Sequence, residues 1–314
     1  MVNYDIFNGD ADGICALVQL RRDEPRVATL VTGVKRDINL LDRIHAKSGD
    51  HVTVLDISMR TNADGLARAL KTGAHVFYVD HHNAGDIPRH ENLQAVIDTR
   101  PSVCTSLLVN KCLNGRFQDW AIVGAFGDNM AASAHKIIQN TTLTAPEVDT
   151  LKTFGELLNY NAYGRDMDDL HFPPADLYRC LANYDDPHTC LREEPEILEV
   201  LQAGFETDLQ YAHTSSQLTD GVFLLDDAAW ARRISGTFGN MLARQNPEQA
   251  HAVLSHNLEG GYLVSVRAPL NHLKGADTLC MQFDTGGGRA SAAGINHLPH
   301  DQFETFLEAF SKAF

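Results

Sequence analysis

The chain has 314 residues, which is long enough for two domains that each bury a core of their own. Its 26 Lys and Arg residues against 41 Asp and Glu residues give a formal net charge of −15, which argues against long DNA or RNA as a partner because a phosphate backbone attracts a basic surface. No apolar run approaches the ~20 residues of a membrane helix, and neither a secretion signal nor a C-x-x-C spacing is present, so we expect no membrane contact, reduced cysteines and a cytoplasmic protein.

Strands and helices alternate along the chain up to about residue 130. The predicted strands are 2–7, 27–32, 51–55 and 75–79, and the predicted helices are 14–20, 37–46, 62–70 and 117–132. Asp128 lies near the end of the last of these helices. Such alternation predicts a parallel sheet with helices on both of its faces.

The rest of the chain has a different pattern. Residues 144–216 read as irregular helices interrupted by prolines, and strand patterns return at 222–225, 252–254, 262–266 and 279–283. Helices are predicted at 230–244 and 302–314. The fold class is therefore α/β, with a parallel-sheet domain over 1–190, a helical linker over 191–220 and a smaller α/β domain over 221–314.

Acidic and imidazole side chains follow three of the predicted strands. They are Asp10 and Asp12 in NGDADG, Asp56 in VTVLD, and Asp80, His81 and His82 in FYVDHH. Parallel strands present their carboxyl ends at one edge of the sheet, where ligands bind. Carboxylates with imidazole suit Mn²⁺ or Mg²⁺, whereas a cysteine-rich site would suit Zn²⁺. The number of ligands predicts two ions. The alternatives are that NGDADG is an ordinary turn and that each aspartate caps a helix.

Together these motifs resemble the DHH phosphoesterase superfamily. The matching segments are NGDADG at 8–13, VLD at 54–56, DHH at 80–82 and GAFGDNM at 124–130, while SVRAP at 265–269 and DTGGGRASAAG at 284–294 are similar to the associated DHHA1 domain. The superfamily includes family II pyrophosphatases, exopolyphosphatases, a single-strand exonuclease and small oligoribonucleases. The resemblance implies a DHH domain over 1–190 and a DHHA1 domain over 221–314.

The resemblance also implies a role for each motif residue. In the family pattern, Asp10 and Asp56 would hold a first ion, and Asp12, Asp56, His81 and Asp128 would hold a second. Asp80 orients the histidines and His82 faces the substrate phosphate. The far end of the substrate is received by Arg267 and a glycine loop: Gly286, Gly287 and Gly288. Glycines let backbone N–H groups approach an anion, and arginine binds phosphate through two hydrogen bonds.

Two residues depart from the family pattern. Asn8 stands where many members have histidine or aspartate, and its neutral amide predicts a weaker first metal site. Arg289 follows the three glycines where many members have histidine. That arginine predicts a substrate end with negative charge, such as a terminal phosphate.

The resemblance implies a phosphodiesterase that uses two Mn²⁺ ions, with Mg²⁺ as the other candidate, and hydrolyses short linear oligoribonucleotides. A dinucleotide such as pGpG is the best single candidate. One alternative is an exopolyphosphatase or pyrophosphatase. Another is a nucleotide-binding regulatory protein with weakened catalysis, which only Asn8 favours. The expected partner is a short nucleotide, and homodimerisation is left open.

Overall fold

A five-stranded parallel sheet forms the centre of the first part of the chain. The computed structural model describes residues 1–314 and divides them into two units, Met1–Ala203 and Gly204–Phe314. The strands of the first unit are β1 (Asn3–Phe7), β2 (Thr29–Val31), β3 (His51–Leu55), β4 (His75–Asp80) and β5 (Leu93–Ile97). Their order is β2-β1-β3-β4-β5, and all neighbouring pairs are parallel. The predicted parallel α/β architecture is confirmed.

Nine helices belong to this half of the chain, and the boundary between the units falls within the last of them. They are α1 (Ala11–Asp23), α2 (Ala63–Lys71), α3 (Thr105–Cys112), α4 (Gln118–Gly127), α5 (Ala131–Ile138), α6 (Ala145–Asn161), α7 (Pro174–Leu181), α8 (Pro187–Glu193) and α9 (Pro195–His213). A buried apolar cluster joins the sheet to α2, and it includes Ile6, Val54, Leu66 and Tyr78.

The predicted helix over 37–46 is wrong. Only a short 3₁₀ turn forms there, at Leu40–Arg43. The side chain of Asn62 accepts a hydrogen bond from the backbone N–H of Leu41 at 3.1 Å and donates one to the carbonyl of Ile38 at 2.7 Å. The side chain of Asn62 thus satisfies the N–H of Leu41 and the carbonyl of Ile38, which would pair within the backbone if this segment were a helix.

Helices α1, α4 and α6 approach one another closely beside the sheet. A Cβ atom added at Gly127 would lie 2.3 Å from Cβ of Ala11, and one added at Gly155 would lie 2.2 Å from the carbonyl oxygen of Val123. Both distances are far shorter than real Cβ contacts. The two glycines therefore set the spacing of the three helices.

The second unit contains a six-stranded mixed sheet of order β10-β11-β9-β8-β7-β6. Its strands are β6 (Ser216–Thr219), β7 (Val222–Leu224), β8 (His251–Asn257), β9 (Gly261–Arg267), β10 (Gly286–Arg289) and β11 (Ala292–Pro299). Its helices are α10 (Ala229–Gln245), α11 (Ala276–Cys280) and α12 (Phe303–Ala313). The β7–β8 pair is parallel and the others are antiparallel, so the predicted second α/β domain is confirmed.

Two local predictions in this unit are wrong. The expected strand over 279–283 begins inside helix α11, because Ala276, Leu279, Cys280 and Phe283 are all buried at helical spacing. The expected glycine loop is strand β10 at the edge of the sheet. No helix in the structure has both the length and the apolar character needed to cross a membrane.

Candidate metal centre

The segment between β1 and α1 makes a tight turn that buries two aspartates. Asp10 is the N-cap of α1, and its side chain accepts a hydrogen bond from the N–H of Gly13 at 3.0 Å. A Cβ atom at Gly13 would lie 2.3 Å from the carbonyl oxygen of Asn8, so the turn requires glycine there. Asp10 and Asp12 are only 2% and 1% exposed. The turn and cap interpretations are therefore correct as descriptions of Asp10, but they leave Asp12 unexplained.

Asp12 lies against the N-terminus of α3. Its two carboxylate oxygens accept hydrogen bonds from the backbone N–H groups of Thr105 at 2.7 Å and Ser106 at 2.8 Å. The N-terminal end of a helix presents unpaired backbone N–H groups, which the side chain of Asp12 satisfies. Each oxygen keeps a second lone pair for another partner.

Asp56 follows β3 with an unusual backbone conformation. Its φ is +60°, a region that non-glycine residues rarely adopt and that is found at functional sites. The hydroxyl of Thr105 donates a hydrogen bond to its Oδ1 at 2.9 Å. Burial, together with the charges of Asp12, Asp10 and Asp128, raises the pKa of Asp56 well above its usual range. A nearby cation would relieve this repulsion.

The DHH run begins at Asp80, the last residue of β4, and continues past the end of the strand. Nδ1 of His82 lies 2.7 Å from Oδ1 of Asp80. Burial lowers the pKa of His82, but the hydrogen bond and the charge of Asp80, with the charges of Asp10 and Asp128, outweigh burial and raise it. The other carboxylate oxygen of Asp80 is buried without a hydrogen-bond partner. Nε2 of His81 lies 3.4 Å from Oδ1 of Asp56 and 3.7 Å from Oδ2 of Asp128.

These side chains form two overlapping groups that fit a divalent metal ion. Potential ligand atoms lie within 4.8 Å of one another in each group, and the groups are Asp12, His81 and Asp128, and Asp56, His81 and His82. Carboxylate oxygens with imidazole suit a hard or borderline ion such as Mg²⁺ or Mn²⁺. The structure thus brings together all the acids and histidines that the sequence places at the strand ends, with Asp128 joining from the end of α4.

Lys35 also enters this centre, and sequence reasoning missed it. Its Nζ lies 2.5 Å from Oδ2 of Asp10, 2.8 Å from Oδ1 of Asn159 and 3.8 Å from Oδ1 of Asp128. Although burial raises the pKa of Asp10, the charge and hydrogen bond of Lys35 outweigh that effect and lower it to about 2. Asp10 is therefore held as an anion by the lysine.

Asn8 is engaged in the same turn. Its Oδ1 accepts the backbone N–H of Asp10 at 3.2 Å, and its Nδ2 donates to the carbonyl oxygen of Lys35 at 3.3 Å. The amide thus connects the turn after β1 to the segment that carries Lys35.

An exposed arginine follows Lys35. Arg36 makes no ion pair, and it lines a pocket of about 420 Å³ together with Val34, Asp37, Arg165, Asp166 and Met167. Lys35 and Arg36 lie after β2, so applying the strand-end rule to that strand as well would have identified them.

The candidate substrate residues of the second unit have two different environments. Arg267 at the end of β9 donates hydrogen bonds to Oδ1 of Asn240 at 2.6 Å and to Oγ of Ser265 at 2.9 Å. Arg289, at the end of β10, is exposed.

The three glycines also differ in their surroundings. A Cβ atom at Gly286 would lie 1.7 Å from the carbonyl oxygen of Cys280, and one at Gly288 would lie 2.5 Å from Cα of Ala293. A Cβ atom at Gly287 would meet no atom within 4 Å. Packing within the unit accounts for Gly286 and Gly288, whereas Gly287 faces open space.

Three solved structures share the fold of this chain. The exonuclease RecJ bound to manganese has a TM-score of 0.58 at 16% identity, over 99% of this chain and 90% of that one. The pGpG-specific phosphodiesterase PggH from Vibrio cholerae has a TM-score of 0.55 at 13% identity, over 100% and 99%. An exopolyphosphatase-related protein from Bacteroides fragilis has a TM-score of 0.53 at 13% identity, over 99% and 91%.

These structures show the class of fold, which consists of two α/β units along one chain. It is the fold that the motifs resembling DHH and DHHA1 domains led us to expect, so the predicted fold is confirmed. No protein-family model and no curated protein matches the sequence.

Proposed function

We propose that the protein is a divalent-metal-dependent phosphodiesterase that hydrolyses short linear oligoribonucleotides, with a dinucleotide such as pGpG as its preferred substrate. The observation that carries this proposal is the convergence of buried carboxylates and imidazoles at one edge of the first sheet, in which Asp12, His81 and Asp128 offer ligand atoms within 4.8 Å of one another. A bound divalent ion lowers the pKa of a water molecule and stabilises charge on a phosphate oxygen.

The protein's own residues supply the rest of the chemistry. His82 is 46% exposed in its side chain, and Asp80 favours its protonated form. A positively charged imidazole at this position can donate a hydrogen bond to a phosphate oxygen and deliver a proton to the leaving oxygen. Asp80 fixes which ring nitrogen faces the substrate, because Nδ1 is already bonded to it.

Two exposed arginines support a substrate that carries terminal phosphate. Arg36 is adjacent in sequence to the metal centre's Lys35 and has no carboxylate partner. In the second unit, Arg289 is also an exposed arginine. An arginine that makes no ion pair has its guanidinium available to bind phosphate through paired hydrogen bonds. Among proteins of this fold, PggH is described as pGpG-specific, which agrees with the proposed substrate.

A second candidate function is exopolyphosphatase or pyrophosphatase activity. The same arginines favour it, and one protein of this fold is described as exopolyphosphatase-related. The acidic net charge of −15 argues against a long polyanion as the substrate. The third candidate, a regulatory protein with weakened catalysis, has little support, because the carboxylates and histidines of the motifs all meet at the centre.

A substrate panel tests the proposal. The purified chain is incubated with Mn²⁺ or Mg²⁺ and with linear pGpG, cyclic dinucleotide, longer RNA, polyphosphate and pyrophosphate, and products are separated by ion-exchange chromatography. We expect mononucleotides from pGpG and no turnover with chelator. His82→Gln should lose activity, while His45→Gln, which changes an exposed histidine, should retain it. Consumption of polyphosphate with pGpG untouched would replace this proposal by the second candidate.

A further inference from the structure

We infer that the ammonium group of Lys35 replaces one of the two metal ions, so that the centre binds a single divalent ion at Asp12, Asp56, His81 and Asp128. This inference rests on the proposed metal dependence and concerns how many ions the chain takes. It changes the expectation drawn from the family resemblance, in which Asp10 and Asp56 hold an ion of their own.

Lys35 is surrounded by oxygen atoms in the way that a bound cation is. Its Nζ lies 2.5 Å from Asp10, 2.8 Å from the amide oxygen of Asn159 and 3.8 Å from Oδ1 of Asp128. These oxygens come from three separate elements: the turn before α1, helix α6 and the end of α4. The ammonium therefore neutralises part of the charge that a first ion would neutralise.

The backbone of Lys35 is fixed at this position from two sides. Its N–H donates to the carbonyl oxygen of Ala162 at 2.9 Å, and its own carbonyl accepts from the side chain of Asn8 at 3.3 Å. The ring of Tyr163 lies beneath the ammonium, with its centroid 5.5 Å from Nζ. A cation over an aromatic face is stabilised by the ring electrons. The side chain therefore reaches the centre from an anchored segment.

Asn8 takes part in this replacement. The amide oxygen already accepts the N–H of Asp10, and the amide nitrogen holds the Lys35 segment. An aspartate at position 8 would have no N–H to donate to the Lys35 carbonyl, and a histidine bound to metal through one ring nitrogen would have only the other nitrogen as a donor. Asn8 and Lys35 thus act as a pair, in which the neutral residue positions the cation.

The remaining ligands suffice for one ion. Asp128 lies between the ammonium group of Lys35 and the position proposed for that ion. Its Oδ1 faces Lys35 and its Oδ2 faces His81. A divalent ion on the same Asp10 oxygen as Lys35 would lie within a few ångströms of the ammonium, and like charges at that separation repel strongly. On the other side of Asp128 the ligand atoms of Asp12, His81 and Asp128 converge without a competing cation.

The test measures bound metal rather than activity. The full-length chain is equilibrated with excess Mn²⁺, separated from free ion by dialysis, and analysed for manganese per chain by mass spectrometry. Electron paramagnetic resonance at low temperature shows whether the bound ions are isolated or magnetically coupled. We expect one Mn²⁺ per chain with the signal of an isolated ion. Lys35→Ala, which frees Asp10, should bind two ions with a coupled signal, and Lys152→Ala, at an exposed lysine of α6, should bind one.

Two coupled ions in the wild-type chain would overturn the inference, and this result does not depend on whether Lys35→Ala folds. One ion in both the wild type and a folded Lys35→Ala variant would show that the lysine is not what excludes the second ion, which also overturns it. These outcomes are separate from the proposed function. Failure to hydrolyse any member of the substrate panel with one Mn²⁺ bound would reject the activity and leave the stoichiometry in place.

Discussion

Replacing Gly127 by alanine should disturb both the stability of the first unit and its metal binding. The new Cβ would lie 2.3 Å from Cβ of Ala11, whereas ordinary contact begins near 3.4 Å. Helices α1 and α4 must therefore separate by about 1 Å to restore a normal carbon–carbon contact. The residue before Ala11 is Asp10 and the residue after Gly127 is Asp128, so the displacement acts directly on two residues of the candidate metal centre.

The expected size follows from this geometry. Overpacking of a tight contact costs about 2 kcal/mol, which corresponds to roughly 4–8 °C in Tm for a unit of this size. A functional centre tolerates displacements of only about 0.5 Å, so the affinity for Mn²⁺ should fall by about tenfold or more. Circular dichroism melts and calorimetric Mn²⁺ titrations measure the two effects.

Gly239→Ala is the matched control, because it also places a methyl group on a helix. Its Cβ would lie 3.6 Å from Val253 and 3.8 Å from the side chain of Arg267, which are ordinary contacts. Alanine is favoured over glycine in a helix by about 1 kcal/mol, so the control should not lower Tm. If Gly127→Ala kept the wild-type Tm and Mn²⁺ affinity, the helix spacing would not determine the geometry of the centre.

Three further predictions concern individual side chains. Thr105→Val removes the hydroxyl that donates a hydrogen bond to Asp56. This variant should bind Mn²⁺ about 10–100-fold more weakly than the wild type, and Thr105→Ser should bind it as the wild type does. Equal affinities in the three proteins would show that this hydrogen bond is not needed. Burial raises the pKa of Asp128 from 3.8 to about 6, although Lys35 acts in the opposite direction. The folded chain then holds this proton more tightly than the unfolded chain does. The metal-free protein should therefore lose stability as the pH rises from about 4 to about 6. Urea unfolding midpoints that increase over that pH range would refute the prediction. Arg36→Met should raise KM for pGpG by roughly ten- to a hundredfold with little change in kcat. If the variant raised KM equally for GpG, which lacks the 5′-phosphate, Arg36 would not bind that phosphate.

Much of the candidate centre was predictable because parallel strands deliver their carboxyl ends to one edge. Asp56 and Asp80 come directly at the ends of strands whose apolar patterns are strong. Strand β2 has only three residues and is partly exposed, so its pattern is weak, and the lysine that follows it was overlooked. The contact of Lys35 with Asn159 joins positions 124 residues apart, and no local pattern in the sequence contains that information.

The second unit shows a different reason for failure. The window 279–283 is too short to distinguish a strand from a helix by periodicity. Extending it to Ala276 reveals buried residues three and four positions apart, and Gly275 with φ +100° precedes the first turn. The three glycines look like a loop in sequence, but pairing with β11 makes them an edge strand.

The contact between Asp12 and the start of α3 has a consequence for how this protein changes over evolutionary time. The carboxylate of Asp12, which belongs to the candidate metal centre, also accepts hydrogen bonds from two backbone N–H groups of a helix to which Asp12 does not belong. A descendant that no longer needed catalysis would be free to lose His81 or Asp128, yet losing Asp12 would leave buried N–H groups without partners, at about 1–3 kcal/mol each. Asp12 should therefore persist in inactive descendants, and its presence in a distant sequence is evidence of the fold rather than of the activity.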